Sequence, residues 1–474
     1  MCRKDASSGE SRSGEAIPAH FPAMPIRAPR ALNRTQPPSQ VARSRIGRAL
    51  RGLAATESAI AVGIATTLAI AVAVSTATAQ AKTFTVCTSG CPYRHIQDAV
   101  DASGKGDTVA VRPGTYHEGV IVDGHKHDRL TIKGSRDDPT RTKLIQRGLH
   151  GAPAQNAIAI AGADGVRLTG LYARDFKSNG FYVANADGYT FDHLIAERDG
   201  EYGLFAFNSI GGSMTNSSAY YFNDSGFYVG QTPVQRHPKR TKISHVTAYL
   251  NVLGYSGTNG KYVDIENSNW FNNGDGIVPN SLDSERFPPD AENRIVGNRV
   301  FWNNFDYYQG APFRQRKTVV EEGEIPYPVG VGILLFGGRN NLVANNQIFG
   351  NWLAGFAMLD AFQLKNPAAR PLLDNVISNN AFGLGGTDRN GRDLAYDGGG
   401  SGNCFSDNQG VTSVFPAGGS TIVACTTPPT PNVFDQGARD QALEWTFDPS
   451  HEAGWIAHDH APQPGLTPVV HWGS

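Results

Sequence analysis

Short runs of alternating apolar and polar residues fill the middle of the chain, and one phrase recurs among them. In this phrase a small or amide-bearing residue is followed, nine or ten residues later, by a glycine and apolar or aromatic residues, as Asn216 is by Gly226-Phe227-Tyr228-Val229. The other markers are Gly170, His193, His245, Asn267, Asn298, Asn345 and Asn379. Most steps between markers are 22 to 31 residues. A unit of that length cannot bury its own apolar face, so the period predicts a stacked solenoid.

The runs around each marker predict short β-strands. Val166-Arg167-Leu168 and Ile333-Leu334-Leu335-Phe336 are rich in residues that favour strands, and Gly, Asn, Asp and Ser surround such runs. No sustained helical period occurs between residues 156 and 380. Two or three strands per turn predict a parallel β-helix. In it we expect the marker amides to stack as a ladder and the glycine to occupy a turn of positive φ.

Two segments before the repeats resemble a known superfamily. They are Tyr93-Arg94-His95-Ile96-Gln97-Asp98-Ala99-Val100 and the stretch from Gly106 to Glu118. Together they are similar to the opening of the pectin-lyase-like superfamily. The resemblance implies an all-β fold, a right-handed parallel β-helix over residues 82–410. A short N-terminal capping helix, with Ile96, Ala99 and Val100 on its apolar side, would close the end of the solenoid.

The N-terminal region predicts export. An apolar run from Ala59 to Val74 follows several arginines and precedes Ala79-Gln80-Ala81. Residues 56–81 are therefore expected to be a signal peptide, or an uncleaved anchor that would hold the protein on a membrane. Residues 1–55 are basic and lack a core pattern, which predicts disorder, unless the start codon is set too far upstream. We expect the protein to be secreted or on the cell surface.

Four cysteines flank the repeats in two local pairs, Cys87 with Cys91 and Cys404 with Cys425. Disulfides there would staple the terminal coils, which fray most easily, although four cysteines allow three pairings. Beyond the repeats, residues 411–474 contain Pro and Trp clusters. We expect this part to be an irregular tail that packs on the solenoid through its tryptophans.

Candidate chemistry lies where insertions interrupt the period, at 231–240, 279–290 and 309–329. Each follows the glycine-aromatic part of a coil, so all three are expected to leave the same edge and wall a groove. The first is basic, and Arg236, His237 and Lys239 are catalytic candidates. An elimination on a uronate needs a cation for the carboxylate and a base for the C5 proton. A solvated surface loop is the competing interpretation.

Other side chains in and near the insertions are candidates for binding. Those that would contact sugar rings or sugar carboxylates are Tyr182, Tyr228, Arg240, Arg286, Tyr307 and Tyr308. Those that offer oxygen ligands to a calcium ion are Asp275, Asp283, Glu285 and Asp306. No other cofactor is indicated. Since aspartate is common in turns, a turn-forming role competes with the metal role for each aspartate.

Composition narrows the function classes. A net charge of −1 with 18% charged residues gives no case for nucleic-acid binding. The catalytic motifs of pectin methylesterases, polygalacturonases and alginate epimerases have no counterpart in the coils, which leaves the activity open. We predict a monomeric carbohydrate-active protein, lyase- or epimerase-like on an acidic polysaccharide. One alternative is a non-catalytic scaffold that binds a polysaccharide or cell-surface glycan. The other is a periplasmic metallocentre-assembly protein, for which clusters around His125 and His451 would supply ligands.

Overall fold

The computed structural model describes residues 80–146, 154–305 and 327–447. Each full coil contributes one strand to an 11-stranded sheet, here sheet B, and two short segments to a 20-stranded sheet, here sheet A. Strands of successive coils pair in parallel, as Phe205 of one coil does with Tyr228 of the next. The fold is the right-handed parallel β-helix that the sequence predicted.

Strands divide among the sheets as follows. Sheet B contains β4 (Val120–Asp123), β7 (Asn156–Ala161), β9 (Asn179–Ala184), β11 (Tyr202–Phe207), β14 (Ser225–Gly230), β17 (Leu253–Thr258), β20 (Asp275–Asn280), β23 (Val331–Phe336), β26 (Ala354–Leu359), β29 (Leu394–Tyr396) and β31 (Val414–Phe415). The first segments of sheet A are β1 (Thr83–Val86), β2 (Thr108–Val111), β5 (Thr131–Lys133), β12 (Ser213–Thr215), β15 (Thr241–Ser244), β18 (Val263–Glu266), β21 (Arg294–Val296), β24 (Leu342–Ala344), β27 (Val376–Ser378) and β30 (Cys404–Ser406). Its second segments are β3 (Gly114–Tyr116), β6 (Thr142–Ile145), β13 (Ser218–Tyr220), β16 (Thr247–Tyr249), β19 (Asn269–Phe271), β22 (Arg299–Phe301), β25 (Gln347–Phe349) and β28 (Ala381–Phe382), while β8 (Val166–Arg174) and β10 (Tyr189–Glu197) span both.

A short helix, α1 (Ile96–Ala102), confirms the predicted N-terminal cap. Its buried residues are Ile96, Ala99 and Val100. The Glu118 carboxylate accepts hydrogen bonds from the backbone N–H groups of Ile96 and Gln97, at 2.9 and 3.1 Å. These bonds satisfy two amides that the first turn of a helix leaves unpaired. Single 3-10 turns occur at His125–His127, Pro139–Arg141 and Pro367–Ala369.

All the recurring markers except Asn298, which follows the corner residue Gly297, lie at the corner between the two segments of sheet A. Gly170, His193, Asn216 and Asn345 all have positive φ, between 49° and 68°. The predicted ladder is instead formed largely by the residue that follows the corner, because only that side chain points into the solenoid. It comprises Asn298, Asn346, Asn380 and Asn408, joined by Nδ2–Oδ1 bonds of 2.9 to 3.0 Å. A parallel ladder comprises Asn251, Asn273, Asn303, Asn351 and Asn390.

The glycines of the recurring phrase do not occupy turns of positive φ, so that prediction was wrong. They begin the strands of sheet B, where successive coils approach closely. A Cβ added to Gly203 would come within 2.4 Å of the carbonyl oxygen of Gly226, and one on Gly254 within 2.5 Å of that of Gly276. Glycine is therefore required here because the coils pack closely, and not because the backbone adopts a positive φ.

Replacing Asn303 with alanine is expected to destabilise the protein by about 2–3 kcal/mol, because buried partners lose their hydrogen bonds. Asn303 is fully buried, accepts from Asn273 Nδ2 and donates to Asn351 Oδ1, both at 3.0 Å. Urea unfolding measures the change. Gln347→Ala, which removes an exposed contact with Arg299 in the neighbouring coil, should cost less than about 0.5 kcal/mol. Equal losses would contradict a stabilising ladder.

Both predicted disulfides are present, Cys87–Cys91 and Cys404–Cys425. The C-terminal region contains a helix, α2 (Gln436–Phe447), that the interpretation as an irregular tail did not anticipate. Trp445 of this helix is buried, with its ring 4.6 Å from that of Phe415 and 4.2 Å from the Arg392 guanidinium. In the part of the chain that the structure describes, no helix has the length and apolarity needed to cross a membrane.

Candidate functional site

One column of side chains on the outer face of sheet B crosses five coils. Ile121, Ala159, Tyr182, Phe205 and Tyr228 pair each with the next in register. Residues on either side of each of them in β9, β11 and β14 point into the core, so alternation along the strand directs the column outward. Exposure falls from 60% at Ile121 to 2% at Tyr228. The column forms an apolar and aromatic track that is open at the end nearer α1.

Two of the three insertions leave the same edge of sheet B. The segments 231–240 and 281–290 follow the last residues of β14 and β20. The third insertion instead lies between β22, which ends at Phe301, and β23, which begins at Val331. It therefore enters sheet B from the opposite edge, and the prediction of one common edge was wrong. Residues 306–326, which contain most of this insertion and also Asp306, Tyr307 and Tyr308, lie outside the described residues.

Aromatic side chains cluster in the middle of the track. The ring of Phe205 lies 4.5 Å from Tyr202, 4.8 Å from Tyr228, 5.0 Å from Tyr182 and 5.8 Å from Phe207, measured between centroids. The rings meet at tilted or edge-to-face angles, which favour aromatic packing. All except Tyr228 are partly exposed. We call this cluster the aromatic platform; it offers apolar area to the faces of sugar rings.

Glu285 is the ionisable group that lies against the platform. The loop 281–290 folds back from β20 so that Glu285 accepts hydrogen bonds from the Tyr228 hydroxyl and, at 2.8 Å, from the Gln231 backbone N–H. Burial raises the pKa of Glu285 to about 7, against the lowering effect of these two bonds, and the charge of Asp224 adds to the rise. A carboxyl with a pKa near neutrality can both accept and donate a proton at physiological pH.

A second carboxyl adjoins the same rings. The Tyr202 hydroxyl donates to Asp224 Oδ2 at 3.3 Å. Burial raises the pKa of Tyr202 well above its usual value, and the charge of Asp224 raises it further. Two carboxyl groups and two tyrosine hydroxyls therefore border the platform.

The predicted basic candidates do not converge on Glu285. Arg236 and His237 are exposed on their loop. Lys239 pairs with Asp187, and Arg240 binds Asp264 through Nε at 2.8 Å to each carboxylate oxygen. Arg286 lies over the ring of Phe287. Lys239 and Arg240 are therefore already engaged in ion pairs with the solenoid.

The structure does not bring together Asp275, Asp283 and Glu285, the three calcium candidates that lie among the described residues. Asp275 is fully buried, accepts from the Val331 N–H at 3.0 Å, and has a pKa raised well above its ordinary value by burial. Asp283 accepts from the Lys365 N–H at 2.7 Å, whereas Glu285 binds Tyr228. Since burial favours the neutral form of Asp275, that carboxyl is a poor calcium ligand.

Another acidic group lies near α1. Among the described residues, only His125, Asp128 and Asp164 form a set of three whose potential metal ligands lie within 4.8 Å of one another. Asp128 already accepts from Lys105 Nζ at 2.8 Å and from the Asp164 N–H at 3.0 Å. The neighbouring His127 is buried against the carbonyls of Asp123 and Val100. The second histidine cluster, around His451, lies outside the described residues.

Sequence reasoning named Tyr182, Tyr228 and Glu285 but missed Tyr202, Phe205 and Asp224. It also assigned Glu285 to a metal rather than to proton transfer. The alternation within the strands could have revealed Phe205, because Tyr182, Phe205 and Tyr228 occupy the same place in the repeated phrase. Contact between Glu285 and Tyr228 had no such signal, because 57 residues separate them.

The raised pKa of Glu285 predicts a pH dependence of stability. The folded state holds this proton more tightly than the unfolded state, so the free energy of unfolding should fall as pH rises from about 4.5 to about 7. The loss attributable to Glu285 is about 3 kcal/mol at most, since the loop is partly exposed. Glu285→Gln should abolish that part. Urea unfolding of both proteins at pH 5 and pH 8 tests this, and parallel losses would contradict it.

No protein-family model matches the chain, and no curated protein matches its sequence. Solved structures with a similar fold include the A-module of the mannuronan C-5 epimerase AlgE4 of Azotobacter vinelandii, at 14% identity and a TM-score of 0.47, covering 70% of this chain and 95% of that one. A DFA-IIIase from Arthrobacter chlorophenolicus A6 has 12% identity, a TM-score of 0.41 and coverages of 73% and 97%. The pectate lyase Pel9A has 14% identity, a TM-score of 0.34 and coverages of 73% and 81%. At these values the similarity identifies neither a substrate nor a reaction for this chain.

Proposed function

We propose that this protein is an exported carbohydrate-active enzyme that binds an acidic polysaccharide along sheet B and uses Glu285 as its acid–base group. The observation that carries the proposal is the partly exposed residue Glu285, whose carboxyl has a pKa near 7 and is held by Tyr228 against the aromatic platform. Strongly shifted carboxyl groups in such surroundings are typical of catalytic sites.

Lyase or epimerase chemistry uses the ionised form of Glu285 as a base. The carboxylate takes the C5 proton of a uronate. In elimination, the electron pair of the broken C–H bond forms the C4–C5 double bond as the C4–O bond breaks, and the protonated Glu285 returns the proton to the departing oxygen. In epimerisation, water or a tyrosine hydroxyl on the opposite face donates a new proton to C5, and Glu285 releases the abstracted proton to solvent. The exposed side chains of Arg236, His237 and Arg286 are available to bind sugar carboxylates along the edge.

Hydrolysis is the second candidate, and the pair of carboxyl groups favours it. Glycosidases use one carboxylic acid with a raised pKa to protonate the leaving oxygen, and one carboxylate to activate water or attack the sugar. Glu285 would be the acid and Asp224 the carboxylate. The two carboxyl groups lie on neighbouring tyrosines, because Glu285 binds Tyr228, Asp224 binds Tyr202, and the centroids of those two rings are 4.9 Å apart.

The proposed location outside the cytoplasm is supported by two features. The disulfides Cys87–Cys91 and Cys404–Cys425 are characteristic of oxidising compartments. The basic and apolar sequence before residue 82 has the composition of a secretory signal. Edman sequencing of the protein recovered outside the cell tests this directly, with a new N-terminus near Lys82 as the expected result.

The decisive experiment incubates the purified chain with a panel of uronate and neutral polysaccharides. Absorbance from unsaturated ends indicates elimination, inversion at C5 seen by NMR indicates epimerisation, and new reducing ends without absorbance indicate hydrolysis. Addition of calcium or a chelator in parallel tests the calcium hypothesis. Binding without any product would support the scaffold alternative. The absence of both binding and product would overturn the proposal.

A further inference from the structure

One buried side-chain amide binds the loop that carries Glu285 to the solenoid. Asn259 Nδ2 donates to the backbone carbonyls of Leu282, Glu285 and Arg286, at 2.8, 3.0 and 3.1 Å. Asn259 Oδ1 accepts from the Leu282 N–H at 3.2 Å. A single side chain thus contacts the loop on both sides of Glu285 and at Glu285 itself.

The backbone at Asn259 also matches its residue type. Asn259 immediately follows β17, has a φ of 53° and is fully buried. Asparagine tolerates this left-handed conformation better than most side chains. Asn208, which follows β11 in an equivalent place with a φ of 49°, donates only to Asn185, at 2.7 Å. The contacts between Asn259 and the loop therefore exceed what the coil position requires.

Two further contacts hold the loop from either side. Gln231 Oε1 accepts from the Arg286 N–H at 2.8 Å, while the Gln231 N–H binds the Glu285 carboxylate. Lys261 Nζ donates to the carbonyls of Phe287 and Pro289. Lys261 therefore holds the C-terminal flank of the loop, whereas Gln231 and Asn259 both bind its centre at Glu285 and Arg286.

We propose that Asn259 is a positioning residue that holds the Glu285 carboxyl against the aromatic platform by binding the 281–290 loop at Leu282, Glu285 and Arg286. This inference rests on the proposed acid–base function. Without the amide, three carbonyls lose their donor and are satisfied most readily by water. Hydration of the loop would relieve the burial that raises the pKa of Glu285, so the pKa should fall toward the ordinary glutamate value.

Asn259→Gly tests the proposal, because glycine removes the amide and accepts the positive φ. The measurement is the titration of Glu285 in the full chain labelled with carboxyl-13C glutamate, with the signal assigned by its loss in Glu285→Gln. We expect the pKa to drop by about one unit or more, with faster hydrogen exchange confined to 281–290. Asn208→Gly is the matched control and should leave both unchanged. Asn259→Ser keeps one donor and should give an intermediate pKa.

The outcomes separate the two ideas. A Glu285 pKa that stays at the wild-type value in Asn259→Gly would overturn the positioning role, even if the enzyme is active. A lowered pKa in a protein that neither binds nor turns over any member of the glycan panel would support positioning and overturn the proposed function. A wild-type pKa near the ordinary glutamate value would overturn both.

Discussion

Replacing Glu285 with glutamine is expected to lower turnover of the responding polysaccharide by about 10²- to 10⁴-fold, the usual contribution of general acid–base catalysis. Glutamine can still accept from the Gln231 N–H and donate to the Tyr228 oxygen, so the loop should stay in place. Substrate binding should therefore change much less than kcat. Initial rates across a range of substrate concentrations separate these two effects.

Glu266→Gln is the matched control for that experiment. Glu266 lies on sheet A, where it pairs with Lys242 at 2.9 Å, away from the platform. Its replacement should leave turnover within about twofold of wild type, since exposed ion pairs contribute little. Full activity of Glu285→Gln would remove Glu285 from the reaction and direct attention to Asp224.

We also expect the enzyme to act from one end of the polysaccharide chain, which is the second large effect. The track is open over β4, β7, β9 and β11, a length of three strand spacings or about 14 Å, and it ends at the buried Tyr228 of β14. Beyond Glu285 the same column continues through Ser256 and Val278, which are fully buried or nearly so. A glycan can therefore extend from Glu285 only toward α1. Small products should appear from the start, while the mean polymer length falls slowly.

Other segments of the chain cover the later coils of sheet B, which explains why the track is open at one end only. Leu253 and Val278 pack with Phe305 and Val329, while Trp445 of α2 packs in the same cluster against the later coils. Ala159→Arg, placed in the middle of the open track, should reduce turnover by roughly tenfold or more, equivalent to about 1.4 kcal/mol of lost interaction. Ser213→Arg, a change of similar size on sheet A, should have little effect. Rapid loss of viscosity before small products accumulate would contradict a closed end.

Sequence-based prediction was most successful where neighbouring coils repeat. The solenoid, the capping helix and both disulfides follow from patterns local to one or two coils, such as Ile96, Ala99 and Val100 at helical spacing. It was less successful within a coil. The asparagine at a corner and the asparagine after it differ by one position, and only the second points inward to form a ladder.

The candidate site required contacts between distant segments. Glu285 reaches Tyr228 because its loop folds back over two coils, and the length of that return is not encoded in the period. The pKa of its carboxyl depends on the depth of burial, which no spacing reports. Arg240 and Asp275 were equally plausible site residues from the sequence. In the structure Arg240 belongs to an ion pair, and Asp275 is buried.

The sequence by itself determined the architecture. A repeat of this length is stable only when it stacks on its neighbours, and every coil shows the same alternation of inward and outward side chains. Only the tertiary structure decided the site. Insertions follow no period, so which of them crosses the face of sheet B, and which carboxyl it buries beside the tyrosines, is set by packing and hydrogen bonds such as those of Asn259.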